Sequence, residues 1–184
     1  GVVGPMLSLH NDVVAPYIER YGSEAQKARI LPRMASGDWI GAIAMTEPSG
    51  GSDLRGMKTR ARREGDTYVI SGQKIFISNG VLADIVVLAA QTERGISLFL
   101  IETEGLAGFG RGRPLDKLGQ WSADTAELFF DEMRVPESAL LGGAEGRGFA
   151  QLMDRLVEER LMTAVGAVAT IDHAIETTVA YTRE

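Results

Sequence analysis

The residues best suited to chemistry in this sequence fall in two places. The first is Thr46-Glu47-Pro48, followed by Gly50-Gly51-Ser52-Asp53 and then Gly56, a polar glycine-rich run behind the apolar stretch from Trp39 to Met45. Pro48 halts strand pairing, the glycines let backbone amides approach a ligand, and the hydroxyls of Thr46 and Ser52 offer hydrogen bonds. These properties describe a binding loop without naming its ligand, and a plain surface loop shares them. The second place is Glu158-Glu159-Arg160, within a late helical pattern. Phe149, Met153, Leu156, Ala164, Ala167 and Ile171 recur at helical steps and predict the inner face of a long helix running toward the C-terminus. Glu159 borders that stripe and Glu158 points away. Arg160 falls in its middle, where a cation has to reach a carboxylate, a phosphate or water, because burying it unpaired is costly.

Other candidates narrow the chemistry. Lys58, Arg60 and Arg62 alternate with Met57, Thr59 and Ala61, which puts three cations on one face of a strand, either solvated or contacting an anion such as a phosphate. There is no cysteine, so disulfides, thiolate nucleophiles and sulfur-based zinc sites are excluded. His10 and His173, the two histidines, read as structural or surface residues, so no histidine triad or metal site is expected. Carboxylates or a cofactor are left to do the work.

The elements that must position these groups change character twice along the chain. Residues 1–37 read as helices punctuated by Pro16 and Pro32, with Ser23 an N-cap before Glu24. Residues 38–145 turn to short strands: Trp39 to Met45, Met57 to Arg63, Thr67 to Ile70, Gln73 to Ile77, Ile85 to Ala90, Ile96 to Ile101 and Thr125 to Phe130. Glu64-Gly65-Asp66, Ser71-Gly72 and Asn79-Gly80 supply turns between them. From 146 to 184 the pattern is helical again. The expected fold is therefore α+β: a helical N-terminal end, a central all-β barrel-like domain, and the start of a C-terminal helical bundle. No G-x-G-x-x-G follows a strand into a helix, and Gly108-Phe109-Gly110-Arg111-Gly112 has no helix pattern behind it, so a Rossmann site is not expected.

Length allows about one domain or one domain flanked by parts of others. A formal net charge of -6 and pI near 5.1 argue against a general nucleic-acid binder, and no apolar run approaches the ~20 residues of a membrane span. The sequence lacks an initiator Met and a signal-peptide pattern, and Tyr181-Thr182-Arg183-Glu184 stops inside a helical pattern, so its ends read as cut and targeting is not legible.

The run from Ala44 to Gly56 closely resembles the signature of the acyl-CoA dehydrogenase family. Lys74-Ile75-Phe76-Ile77-Ser78-Asn79-Gly80, Lys117-Leu118-Gly119 with Asp124 to Phe130, and Arg134-Val135-Pro136 through Leu140-Leu141-Gly142 resemble the same family in the same order. The likeness covers essentially the whole chain. It implies an FAD-dependent α,β-dehydrogenation of acyl-CoA thioesters to trans-2-enoyl-CoA in fatty-acid β-oxidation, with electron-transfer flavoprotein as acceptor and a homotetramer as the full-length assembly. A bacterial member would be cytoplasmic and a eukaryotic one would sit in the mitochondrial matrix. By motif match, Met45, Thr46 and Gly51 contact the cofactor, Ser52 lies near the flavin phosphates and the pantetheine arm of CoA, and Phe76, Ile77 and Ser78 line the other side. Many relatives carry Trp where Phe76 stands; stacking survives that change.

Most branches place the catalytic Glu further along than this chain reaches. The long-chain and isovaleryl branches place it in a stretch resembling Leu156-Val157-Glu158-Glu159-Arg160-Leu161, which makes Glu159 the base and gives Arg160 a role in anchoring CoA or a local ion network. An ordinary helix pair between Glu159 and Arg155 is the alternative. Phe76 to Asn79, Gly95 to Leu100 and Asp124 to Phe130 favour the long-chain branch, while Ala150, Val157 and Trp121 depart from it. Acyl-CoA oxidases, flavin monooxygenases and a non-catalytic binding or assembly relative share the architecture.

Overall fold

In a computed structural model that describes residues 4–183, the chain divides into two compact units, Gly1–Gln151 and Leu152–Glu184. The reading of residues 1–3 and 184 lies outside the described residues. The first unit opens with α1 (Gly4–Ser8), a π-helical stretch (Leu9–Val14) and α2 (Ala15–Tyr21). Pro16 stands in the first turn of α2, where its missing N–H is no loss. Ser23 caps α3 (Glu24–Ser36): its Oγ accepts from the Gln26 amide at 3.2 Å, and the Gln26 side chain accepts from the Ser23 amide at 2.8 Å. Pro32 does not punctuate the helices as expected but lies inside α3. There it removes one backbone bond, a loss that the cap and the buried Gln26, Ile30 and Met34 outweigh.

Seven strands follow: β1 (Gly41–Ala44), β2 (Arg60–Glu64), β3 (Thr67–Ser78), β4 (Ile85–Thr92), β5 (Gly95–Glu102), β6 (Phe109–Arg111) and β7 (Thr125–Pro136). They form one sheet in the order β1-β4-β2-β3-β7-β6, with β5 paired to β4. Two-residue turns at Gly65-Asp66 and Glu93-Arg94 close the β2–β3 and β4–β5 hairpins. The glycine-rich run around Phe109 is the short strand β6.

The turn expected at Ser71-Gly72 is absent, and β3 runs straight through it. The register slips there instead, because β7 contributes an extra residue between Met133 and Phe130. Gly72 (φ +146°) answers to crowding, since a Cβ on it would lie 2.7 Å from the Thr59 Cα. The cationic face is as expected: Lys58, Arg60 and Arg62 are exposed, whereas Met57, Thr59 and Ala61 are buried.

Tyr68, Ile70, Val86, Leu88, Phe99, Ile101, Leu128 and Phe130 belong to one core, with the Tyr68 and Phe99 rings edge to face at 4.9 Å. Burial and the Glu145 carboxylate, which accepts from the Tyr68 hydroxyl at 2.7 Å, push the Tyr68 phenol up to about 12. Gly41 in β1 lies against the helices: a Cβ there would meet Val14 and Met34 side chains within 3 Å.

The chain ends in α4 (Gly148–Tyr181), as the late helical period predicts. Along its apolar stripe Phe149, Met153 and Leu156 are half-buried. Every described residue from Thr163 onward is exposed, including Ala164, Ala167 and Ile171. Arg160 is exposed too, so its charge meets water and needs no partner.

Candidate functional site

β4 gives one whole edge to β5, so β1 and β2 share the other: Gly41 to Ala44 pair with Ile85 to Leu88, and Arg60 pairs with Gln91. Residues 45–59 must leave the sheet in the gap between those two anchors. The polar loop is thereby presented at a fixed place by the rigid strands on either side.

Its inside is ordered by one carboxylate. Glu47 is 5% exposed, yet it accepts from the amides of Lys58 at 2.6 Å and Thr59 at 2.9 Å and from the Lys74 ammonium at 3.0 Å. Glu47 and Gly50 also exchange two backbone bonds, of 3.1 and 3.0 Å, which fold the loop back on itself. Burial alone would raise the Glu47 pKa. The Thr59 side chain, the two amides and Lys74 outweigh it and hold the carboxyl down at about 2. Lys74 is fully buried in β3, and burial takes its ammonium down to about 8 against the opposing pull of Glu47. Its Nζ donates a second bond, of 2.9 Å, to the Met45 carbonyl.

The other half of the site is made by a bulge. Between Lys74 and Ile77 the register of β3 against β7 slips by one residue. A regular strand would put Lys74 and Phe76 on one face and Ile77 on the opposite one. The bulge lets Lys74 and Ile77 both go inward and turns Phe76 out, 64% exposed and with φ +60°. A bulky aromatic residue in that left-handed conformation is strained, a condition that collects at functional sites. Behind it the turn is fastened: Asn79 donates to the Gly41 carbonyl at 3.0 Å, and the Asp124 carboxylate accepts from the Val81 and Leu82 amides.

The structure brings most of the expected residues together. The Ile75 amide donates to the Thr46 carbonyl at 3.0 Å, so Met45 and Thr46 lie beside the strand that carries Phe76, Ile77 and Ser78. Gly51 is next to Thr46, since a Cβ there would come 3.6 Å from its methyl group. Gly51 and Ser52 are exposed, while Met45, Thr46 and Ser78 are half-buried. Ile77 packs into the core, which leaves only its backbone for a ligand. Glu159 and Arg160 are carried by the second unit, on α4, where Glu159 is half-buried. Arg155 makes an ion pair with Glu158, one residue before Glu159 on the same helix.

The profile "Acyl-CoA dehydrogenase, middle domain" matches residues 42–133, and "Acyl-CoA dehydrogenase, N-terminal domain" matches residues 1–38. The chain belongs to the acyl-CoA dehydrogenase family. The mitochondrial long-chain specific acyl-CoA dehydrogenase of Sus scrofa is 48% identical to it over 98% of this chain and 43% of that protein. The chain thus spans less than half the length of that relative. A crystal structure of acyl-CoA dehydrogenase from Geobacillus kaustophilus superimposes with a TM-score of 0.87 at 48% identity, covering 91% of this chain and 45% of that one. A glutaryl-CoA dehydrogenase from Mycobacterium smegmatis in complex with FADH2 does so with 0.74 at 44% identity, covering 79% and 37%.

In this acyl-CoA dehydrogenase chain the residue that sequence reasoning passed over is Lys74. A lone lysine in a strand looks solvated, and the bulge two residues later hides the alternation that would have turned it inward. The run of family motifs was the available signal, because it contains both Glu47 and Lys74.

Proposed function

We propose that the full-length protein is an FAD-dependent acyl-CoA dehydrogenase acting on long-chain thioesters, with Glu159 as its catalytic base. The observation that carries this reading is the seam where Thr46 meets the strand of Phe76: hydroxyl and amide donors on one strand end lie beside an outward-turned aromatic ring on the next. A flat heteroaromatic group with several acceptor atoms fits that donor set. Met45, Thr46 and Gly51 would hold it through backbone and hydroxyl groups, Phe76 and Ser78 would border it together with the backbone of Ile77, and Ser52 on the exposed loop would reach its phosphates or the pantetheine arm of CoA.

Bound FAD supplies the acceptor for the hydride that leaves the β-carbon. The chain's own part is the proton. The α-hydrogen of a thioester is weakly acidic, so its removal calls for a positioned carboxylate in a desolvated setting and donors at the thioester oxygen. Glu159 takes that proton as the Cα–Cβ double bond forms, and the trans-2-enoyl-CoA leaves. Arg160, exposed, is available to the CoA phosphates. The long-chain preference rests on the identity with the Sus scrofa enzyme and on the placement of a glutamate at 159. Electron-transfer flavoprotein as the electron acceptor and a homotetramer complete the proposal.

The test is anaerobic titration of the purified full-length protein with acyl-CoA thioesters of graded length. A yellow protein bleached best by long chains is the expected result. A colourless protein that takes up no added FAD would sink the reading, and fast reoxidation by oxygen with product bound would turn it toward an oxidase.

A further inference from the structure

The Glu47–Lys74 pair joins the two halves of the candidate site across 27 residues of sequence and does so without solvent, its side chains being 5% and 0% exposed. A buried ion pair is a poor stabiliser, since apolar residues of the same volume often do as well or better. What apolar residues cannot do is hold a carbonyl. The Lys74 ammonium donates to the Met45 carbonyl as well as to Glu47, and Glu47 in turn is fixed by the Lys58 and Thr59 amides. The next carbonyl along, that of Thr46, is taken by the Ile75 amide. Two successive carbonyls are thus pulled toward β3. No peptide bond in the described chain is cis, and in a trans peptide the N–H points opposite to the C=O. Drawing the Met45 carbonyl inward therefore turns the Thr46 amide outward, away from Lys74 and toward the open side of the seam.

We propose that the buried Glu47–Lys74 pair is a positioning element for the cofactor: by holding the Met45 carbonyl, it aims the Thr46 amide at the flavin ring. This rests on the functional reading above. Neither residue touches the ring; both act through the Met45–Thr46 peptide.

The experiment uses full-length protein carrying Glu47→Gln together with Lys74→Met, which removes both charges and so leaves neither buried alone. The fold, followed by far-UV circular dichroism, should be kept. FAD affinity of the stripped protein should fall about tenfold, the size of one lost hydrogen bond. The resolved shoulder of the bound flavin's absorption band should flatten, and amide exchange at Thr46 should quicken in the flavin-free protein. Parental affinity and spectrum in the folded double variant would overturn the proposal. If that variant does not fold, Glu47→Gln alone is read on the same two signals, with flattening supporting the proposal and an unchanged spectrum overturning it. A parent protein that binds no FAD overturns the functional reading and this proposal with it, whereas a flavin-replete parent with an indifferent variant overturns this proposal only.

Discussion

Each unit of the chain contains a glutamate paired with a cation, and the two pairs differ in kind. Glu47 and Lys74 are far apart in sequence, buried, and supported by two backbone amides. Arg155 and Glu158 are three residues apart on one helix, and the Glu158 side chain is 57% exposed. The first pair exists only when the tertiary fold exists, so it specifies how one segment lies on another. The second joins neighbours on one helix, a carboxylate in solvent reaching a guanidinium whose side chain is 7% exposed. Charge near a binding loop can thus be a constraint on backbone direction, while a pair between neighbours on one helix ties no distant segments together.

The sharpest probe of the helix is Glu159→Gln. It should slow flavin reduction by acyl-CoA by about 10²–10⁴-fold, the usual contribution of a general base, while binding of a CoA product is kept. Near-parental bleaching would place the base elsewhere. For the buried pair, Lys74→Met leaves an uncompensated carboxylate and should cost about 3–5 kcal/mol in chemical denaturation of the full-length protein. A loss under about 1 kcal/mol would break the contrast, since it would make the pair no more demanding than a surface one.

The same pair should mark the acid limb of stability. The Glu47 carboxyl is depressed from 4.5 to about 2 in the fold, so the unfolded chain binds more protons across that interval. Its stabilising contribution is complete above pH 4.5 and is lost as pH falls through about 2. Glu47→Gln should therefore flatten the pH dependence in that window, where one such group contributes a slope of up to about 1.4 kcal/mol per pH unit. An unchanged acid limb would say that Glu47 is not the titrating group. The smallest effect belongs to Glu158→Gln, expected to cost about 1 kcal/mol, since the amide can still accept a hydrogen bond from the buried Arg155.

Much of this was legible before the structure. The Ser23 cap, the change from helix to strand and back, the cationic face of Lys58, Arg60 and Arg62, and the loop from Thr46 to Asp53 all come from local patterns, and local patterns survive folding. What escaped was non-local. Ser71-Gly72 looks like a turn because serine and glycine make turns, but its glycine is there for the approach of Thr59 from another segment. Phe76 reads as one more apolar strand residue until the bulge turns it out. Arg160 seemed to sit in a buried stripe only because periodicity assumes a partner surface.

The shared edge of β4 bears on the order in which the molecule assembles. The β2–β3 and β4–β5 hairpins are closed by two-residue turns and have little chain to search, whereas β1 pairs with β4 in parallel across 44 residues at every rung. Contacts of that separation form late because the intervening chain must be immobilised first. Protection of Ala42 to Ala44 in pulse-labelled hydrogen exchange should therefore trail that of the hairpins. The polar loop takes its shape only once both of its anchors are seated, so its final form comes after the hairpins that frame it.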